Sequence, residues 1–469
     1  MTRIPRTTGG HDEGTLLYGW LLTAFAVNQA IQHRLGMMSV VALAWMLAAG
    51  AFALWGLLAR PAWLERRAAT ALPWVAVGML AVQVWQLLSV PPGVYLAPDA
   101  AVGQYHALVI CVGLAAAVGL FAGGRGRPWL AAVVLAGTGL LGAWLIRSSP
   151  EPLIDTHVWQ QVSLQALAAG RNPYAIELPD IYQGRAPYYP EGWTAGGRCL
   201  WGYVYMPLCL LLGLPGYLLG GDVRWSLLAA GVLTLLVAFW KGNRLAMAAG
   251  ALMATSPRLL FVLEQSWTEL FVVWAMALVV FCAERARRLL PVALGLLLAS
   301  KQYSIVFLPL VPLLIDGPLT WRAVARLIVP AGAVAALLTV PFLLVDPSAF
   351  IRSTIQFHLA SPFRPDALSL PAAWYAFTRS VPSGIWAWVG WVVAAGLAVW
   401  RLPRGAASFA GGAAAAMLPF VMLAKQAFAN YYFFIAWSLL LACAYAEFDT
   451  PHGDDARDTA PPPTTGAAA

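Results

Sequence analysis

The stretch LIDTHVWQQVSLQALAAGRNPYAI (153–176) sets a carboxylate, an imidazole and three carboxamides directly behind an apolar run of membrane length. A carboxylate there can take a proton from a reacting hydroxyl. It can equally cap a helix by accepting that helix's unpaired N–H groups, and both readings stand for Asp155. Val158, Trp159, Val162 and Ala166 fall on one side of a helical turn pattern, with Gln160, Gln161 and Gln165 elsewhere. This predicts a helix lying on the membrane surface. His157 either hydrogen-bonds a phosphate or caps the same helix. Gly170 ends the pattern and Arg171-Asn172-Pro173-Tyr174 turns the chain into DIYQGRAPYYPEGWTAGGRCLWGYVYMPL (180–208). The aromatic faces and donors of that stretch, Tyr203 and Tyr205 among them, suit a sugar or a polar lipid head; an aromatic belt at the interface has the same composition.

Transfer of a sugar from a phosphate to a hydroxyl needs cations as well, because the leaving phosphate gathers negative charge. Only three lysines occur, Lys241, Lys301 and Lys425. Lys301 and Lys425 each stand at the end of an apolar segment and each precede a Gln, Gln302 and Gln426. A lysine buried without an anion is costly, which favours a functional place for Lys301, whereas Lys425 also fits snorkelling at a helix end. Arg171, His358 and Arg364 complete the set of phosphate candidates. The last two lie in IRSTIQFHLASPFRPDALSLPAAW (351–374), which either closes over a donor or packs as an interfacial helix. Glu264 and Gln265 are placed to orient an acceptor hydroxyl, or else form a polar helix end.

These residues need a membrane scaffold. The chain of 469 residues is 60% hydrophobic and only 11% charged, with a mean hydropathy of +0.70, which places it among integral membrane proteins. Apolar runs near 15–32, 37–59, 71–90, 105–123 and 128–146 precede Asp155. The connection at 60–67 carries Arg60, Arg66 and Arg67, and that at 123–128 carries Arg125 and Arg127, whereas 89–105 has no basic residue. The positive-inside rule then puts residues 1–14 in the cytoplasm and Asp155 outside. Read backward from ERARR (284–288), WRAVAR (321–326) and RLPRG (401–405), the same rule leaves the long connections 147–202 and 346–383 outside. Simple counting fails between Asp155 and ERARR, and again between ERARR and WRAVAR. Two re-entrant hairpins are expected to resolve it, one with its turn at Ser300-Lys301-Gln302 and one across 245–263 around Ser256-Pro257-Arg258. The fold class is therefore an all-α multipass protein of about 11–14 helices including the short hairpins. The polar, Pro-rich end from 447 to 469 is expected to be disordered and cytoplasmic.

The elements LxxGxNPY, at Leu167–Tyr174, and YxYxPL, at Tyr203–Leu208, follow the external Asp and its surface helix in that order. Together they resemble the polyprenyl-phosphate-sugar-dependent glycosyltransferases of the GT-C fold, nearest the family 87 mannosyltransferases and their PIG-M-like relatives. SKQY (300–303) and KQAFANYYF (425–433), the latter containing Asn430, also look like this group. The resemblance spans about 147–446, so a catalytic module of 128–446 would follow an N-terminal four-helix region of 15–127. It implies Asp155 as general base, an isoprenoid phosphate as leaving group, a hexose as cargo and a plasma (inner) membrane location with the active site on the extracytoplasmic side. Gln161, Tyr174, Tyr203, Tyr205, Gln302 and Asn430 would contact substrate.

No D-x-D pair, phosphate-binding glycine loop or paired His–carboxylate motif occurs, which fits a lipid-linked donor over a nucleotide sugar. No cofactor is called for, with room left for a loosely held divalent cation. The five cysteines lack metal-ligand spacing. The formal net charge of +8 sits between apolar runs and points to membrane lipids, not nucleic acid. A pentosyltransferase of the same architecture, a lipid-linked-glycan flippase or transporter, and a glycan polymerase are the alternatives.

Overall fold

A computed structural model describes residues 13–59, 62–184 and 188–446. The expected N-terminal extension before residue 13, Arg60, and the expected disordered end after residue 446 lie outside the described residues. In chain order the helices are α1 (Glu13–Gln32), α2 (Val40–Leu58), α3 (Ala62–Ser89), α4 (Val102–Phe121), α5 (Gly126–Ser148), α6 (Asp155–Ala168), α7 (Pro207–Gly220), α8 (Arg224–Phe239), α9 (Arg244–Ala254), α10 (Leu259–Glu264), α11 (Glu269–Arg285), α12 (Leu290–Ser300), α13 (Trp321–Val345), α14 (Pro347–Ile351), α15 (Phe357–Ala360), α16 (Leu370–Thr378), α17 (Ile385–Arg401), α18 (Ala406–Met422) and α19 (Ala429–Tyr445). Three two-residue strands, β1 (Leu178–Pro179), β2 (Thr194–Ala195) and β3 (Arg198–Cys199), pair antiparallel in the order β1-β3-β2. The protein is thus an all-α membrane protein. Five helices, Val40–Leu58, Thr70–Ser89, Val102–Phe121, Gly126–Ser148 and Trp321–Val345, are long and apolar enough to cross a membrane.

Local chemistry sets the helix ends. Ser39, Asn243, Thr320, Asp346 and Ser369 each accept the N–H three residues on, filling one of the orphan donors that open a helix. α1 packs along α2 at Gly19, where an added Cβ would stand 2.5 Å from the Cα of Gly56. Such backbone approach substitutes for the hydrophobic drive that lipid does not supply. α1 also packs on α19, and α4 on α5 and α9, so the first four helices share one apolar core with the rest.

The helices run between two ends. At one, Arg127 donates to the Gly242 carbonyl, Lys241 pairs with Glu284, Arg287 pairs with Asp316, Arg404 donates to Gly317 and Arg401 to Leu57. At the other stand Asp155, the connection around 94–95, the residues between α10 and α11, Lys301, and the connections 346–384 and 423–428, joined by bonds described below. Counting now closes. α7 and α8 are bent by 115° at Gly221, so α7 stays near the Asp155 end while α8 descends from it. Arg224, fully buried, fixes that corner by donating to the Ser149 carbonyl at 2.7 Å while its own Asp222 neutralises it.

The expected hairpin across 245–263 is not formed. α9 and α10 instead make one broken crossing, with the break at 255–258 packed in protein. Arg258 donates from it to the Ile31 and Gln32 carbonyls that end α1. The expected turn at Lys301 is present: α12 stops at Ser300, Lys301 is extended, and a 3-10 helix, Gln302–Leu314, returns to the end where Arg287 meets Asp316. Pro309 and Pro312 lie inside that 3-10 helix, and each removes a backbone donor that a regular α-helix would use.

Candidate active site

α6, expected as a helix lying on the membrane surface, is anchored to the bundle by Gln160, Gln161 and His157, while Gln165 is exposed. Gln160 is buried and donates to the Ser266 and Thr156 carbonyls. Gln161 clasps the α7–α8 corner, accepting from Val223 N at 3.0 Å and donating to the Gly221 carbonyl at 2.8 Å. His157 Nδ1 meets Ser266 Oγ at 2.7 Å, and burial brings its pKa down to about 4, so the ring is neutral near pH 7 and faces the α10–α11 connection instead of a ligand. Ser266 has a φ of +56°, a strained backbone for a side-chain-bearing residue; its hydroxyl and carbonyl hold His157 and Gln160 of α6.

These bonds present Asp155. The N-cap is Ile154, not Asp155, and Asp155 Oδ1 accepts from Thr156 N at 2.7 Å. Oδ2 lies 3.5 Å from the Tyr189 hydroxyl, a contact too long to count as a strong hydrogen bond. Burial pushes the carboxyl up to about 6, against the opposing pulls of the Thr156 N–H, the Arg364 guanidinium and the Tyr189 hydroxyl. Tyr95, Tyr182, Tyr189 and Tyr205 all lie within electrostatic range of it. Trp159, Tyr189, Trp201 and Phe357 pack as one aromatic cluster, with contacting ring centroids 4.8–6.1 Å apart.

The two long connections meet here. Gly202 N donates to Ser353 Oγ at 2.9 Å, and an added Cβ at Gly202 would overlap the Tyr174 carbonyl. Ser353 and Thr354 belong to a π-helical turn, Arg352–Gln356. Its widened spacing frees backbone acceptors, and the Thr354 carbonyl takes Gln302 Nε2 at 3.0 Å. Gln302 and His358 Nε2 converge on the Val204 carbonyl at 2.8 and 2.9 Å, so both hold the Tyr203–Tyr205 segment in place. Burial lowers the His358 pKa, and its Nε2 contact with a carbonyl requires the proton there. Tyr174 and Tyr203 are core residues packed on each other and on Phe350; the Tyr174 hydroxyl donates to the Tyr205 carbonyl at 3.0 Å.

The five phosphate candidates separate. Arg171 is exposed on the turn after α6. Lys425 donates to the Leu359 and Ser361 carbonyls at 2.9 and 2.6 Å, zipping 359–368 onto 423–428. Lys301, at the expected turn, is buried against Glu269 in an ion pair and flanked by the rings of Tyr205, Tyr303 and Tyr431 at 4.9–5.6 Å. Asn430 donates to the same Glu269 Oε1 at 2.8 Å. Arg364 pairs with Asp366 through Nε and Nη2 at 2.7 and 2.6 Å and stacks on Tyr188 at 3.8 Å. Burial alone would raise the Asp366 carboxyl, but the hydrogen bonds and charge of Arg364 leave it below its usual value. Arg364 lies within electrostatic range of Asp155 and keeps its Nη1 edge outside that fork.

Glu264 is not an acceptor-orienting group. Fully buried, it accepts from Val94 N at 2.6 Å, Tyr95 N at 2.9 Å and Ser149 Oγ at 2.9 Å. Gln265 donates to it at 3.3 Å, while the Gln265 carbonyl takes the Thr156 hydroxyl. The carboxylate missed from the sequence is Glu269, at the first turn of α11; the polar residues Ser266, Thr268 and Glu269 ahead of an apolar helix are the signal that could have found it. Among the described residues no cluster of His, Cys, Asp or Glu could hold a metal ion. No family model, no curated protein and no solved structure matches the chain.

Proposed function

We propose that this chain is a membrane glycosyltransferase that moves a hexose, mannose on the resemblance, from a polyprenyl phosphate to a hydroxyl of an extracytoplasmic lipid or glycan. Asp155 carries the reading: a partly exposed carboxylate, tuned to about 6, among aromatic rings and beside an arginine. A base of that pKa is ionised near neutrality yet retains basicity. The acceptor O–H bond breaks as its proton passes to Asp155 Oδ2, the oxygen then attacks the anomeric carbon, and the carbon–phosphate-oxygen bond breaks with its electron pair remaining on phosphate. Arg364 Nη1 stabilises that charge by a charge-assisted bond. The rings of Tyr182 and Tyr189 stack against the sugar. The cluster of basic residues at the end opposite Asp155 supports an extracytoplasmic site.

The experiment is a panel of short-chain polyprenyl-phosphate sugars supplied to purified protein in detergent with product analysis. Transfer from one of them, lost in Asp155→Asn, supports the reading; no transfer from any pentose or hexose donor rejects it. One observation favours a transporter instead: Lys301–Glu269 is a buried ion pair at a helix break, the kind of site secondary transporters use. Donor movement across sealed vesicles without product would select that reading.

A further inference from the structure

Glu269 and Lys301 are both at least nine-tenths buried and face each other, yet the pair is only half satisfied. Glu269 Oε1 receives both Lys301 and Asn430, whereas Oε2 has no hydrogen-bond partner, and neither does the neighbouring Tyr303 hydroxyl. Buried polar atoms are normally paired. The rings of Tyr205, Tyr303 and Tyr431, each partly exposed, surround the Lys301 ammonium. Tyr205 is electrostatically coupled both to Glu269 and to Asp155, so it bridges this pair and the proposed base.

We propose that Glu269 occupies, in the resting protein, the place of a ligand's phosphate on Lys301, and that a phosphodiester displaces it with uptake of one proton. This deepens the reading of a polyprenyl-phosphate donor and rests on it. The chemistry is an exchange of anions: the Lys301 ammonium releases the Glu269 carboxylate and takes a phosphoryl oxygen. A carboxylate left alone in that interior is heavily penalised, so a proton from solvent converts it to the acid and the net charge of the enclosure is unchanged. Asn430 continues to donate to Oε1, and the proton settles on Oε2, the oxygen that now lacks a partner. The other titratable groups facing the pair are Tyr205 and Cys209, Tyr303, Tyr431 and, from the outer connection, His358.

Calorimetry with farnesyl methyl phosphodiester, which does not itself titrate near neutrality, tests this at pH 7.5–8.5 in two buffers of different ionisation enthalpy. The expected result is uptake of about one proton, with affinity falling about tenfold per pH unit. Asp155→Asn should keep that linkage, whereas Glu269→Gln should abolish it and tighten binding by about tenfold because the competing anion is gone. Lys301→Gln should lose binding. Phosphodiester binding without proton exchange in the unaltered protein overturns the proposal, as does no binding at all. The sugar-transfer assay reads the parent proposal separately: transfer present with no proton linkage rejects the exchange alone.

Discussion

Asp155 and Glu269 are two carboxylates within electrostatic range of Tyr205, and their surroundings differ in kind. Asp155 has one short backbone bond, one long hydroxyl contact and an arginine nearby whose fork is taken by Asp366. Glu269 is fully buried and closed onto a lysine and an amide. The first is under-supported, which is how a carboxylate remains available to take a proton. The second is held by its partner, so any role for it must begin by breaking that pair. Burial acts on both; the partner decides what burial does.

Breaking the Glu269 side should have the largest effect on folding. Lys301→Met is expected to remove about 3–5 kcal/mol of stability by leaving a buried carboxylate unpaired, and Lys301→Met with Glu269→Leu to recover most of it. Thermal unfolding in detergent reads both; equal stability of single and double variants would mean that the pair does not interact. Breaking the Asp155 side should spare the fold and remove activity. Asp155→Asn is expected to lower transfer by about 10²-fold or more, and near-normal turnover in the folded variant would transfer the base's role elsewhere.

The same substitution sharpens the comparison through pH. The folded Asp155 pKa of about 6 lies above its ordinary 3.8, so the folded state favours the protonated form. That stability is fully present below 3.8 and is lost as pH rises through about 6. Asp155→Asn should therefore match the unaltered protein in melting temperature near pH 4 and exceed it at pH 8. The transfer rate of the unaltered protein should climb with pH and level off above about 6. The smallest expected effect is that of Tyr189→Phe: the hydroxyl favours the ionised carboxylate, so its removal should move the midpoint of the rate profile upward by about half a unit or less. A downward shift would reverse the role assigned to that hydroxyl.

Much of this arrangement was legible along the chain. The apolar runs gave the bundle, Gly170 and the Asn172-Pro173 turn gave the end of α6, and the failed count between 288 and 321 gave the break at Lys301. Asp155 was legible because it stands directly behind a membrane-length run and at the head of a helical pattern. Its environment was not, since Tyr189 and Arg364 approach from positions far along the chain. Glu264 drew attention over Glu269 because it sat at the end of an expected hairpin. Without that hairpin, Glu264 becomes a clasp and Glu269, hidden at the start of an apolar helix, becomes the partner of Lys301. The failed parity count was itself informative, because it marked the stretch where α7 bends away from α8.

The Glu264 clasp also fixes an order of assembly. Val94 N and Tyr95 N find their acceptor 170 and 169 residues further along the chain. During synthesis α1 to α5 are complete before that carboxylate exists, so the strap between α3 and α4 waits with two open donors while about seventeen further turns of helix are made. A nascent chain arrested ahead of residue 264 would expose this strap to protease, and release of the arrest would protect it. The site therefore matures backward, its earliest-made loop being the one fastened late.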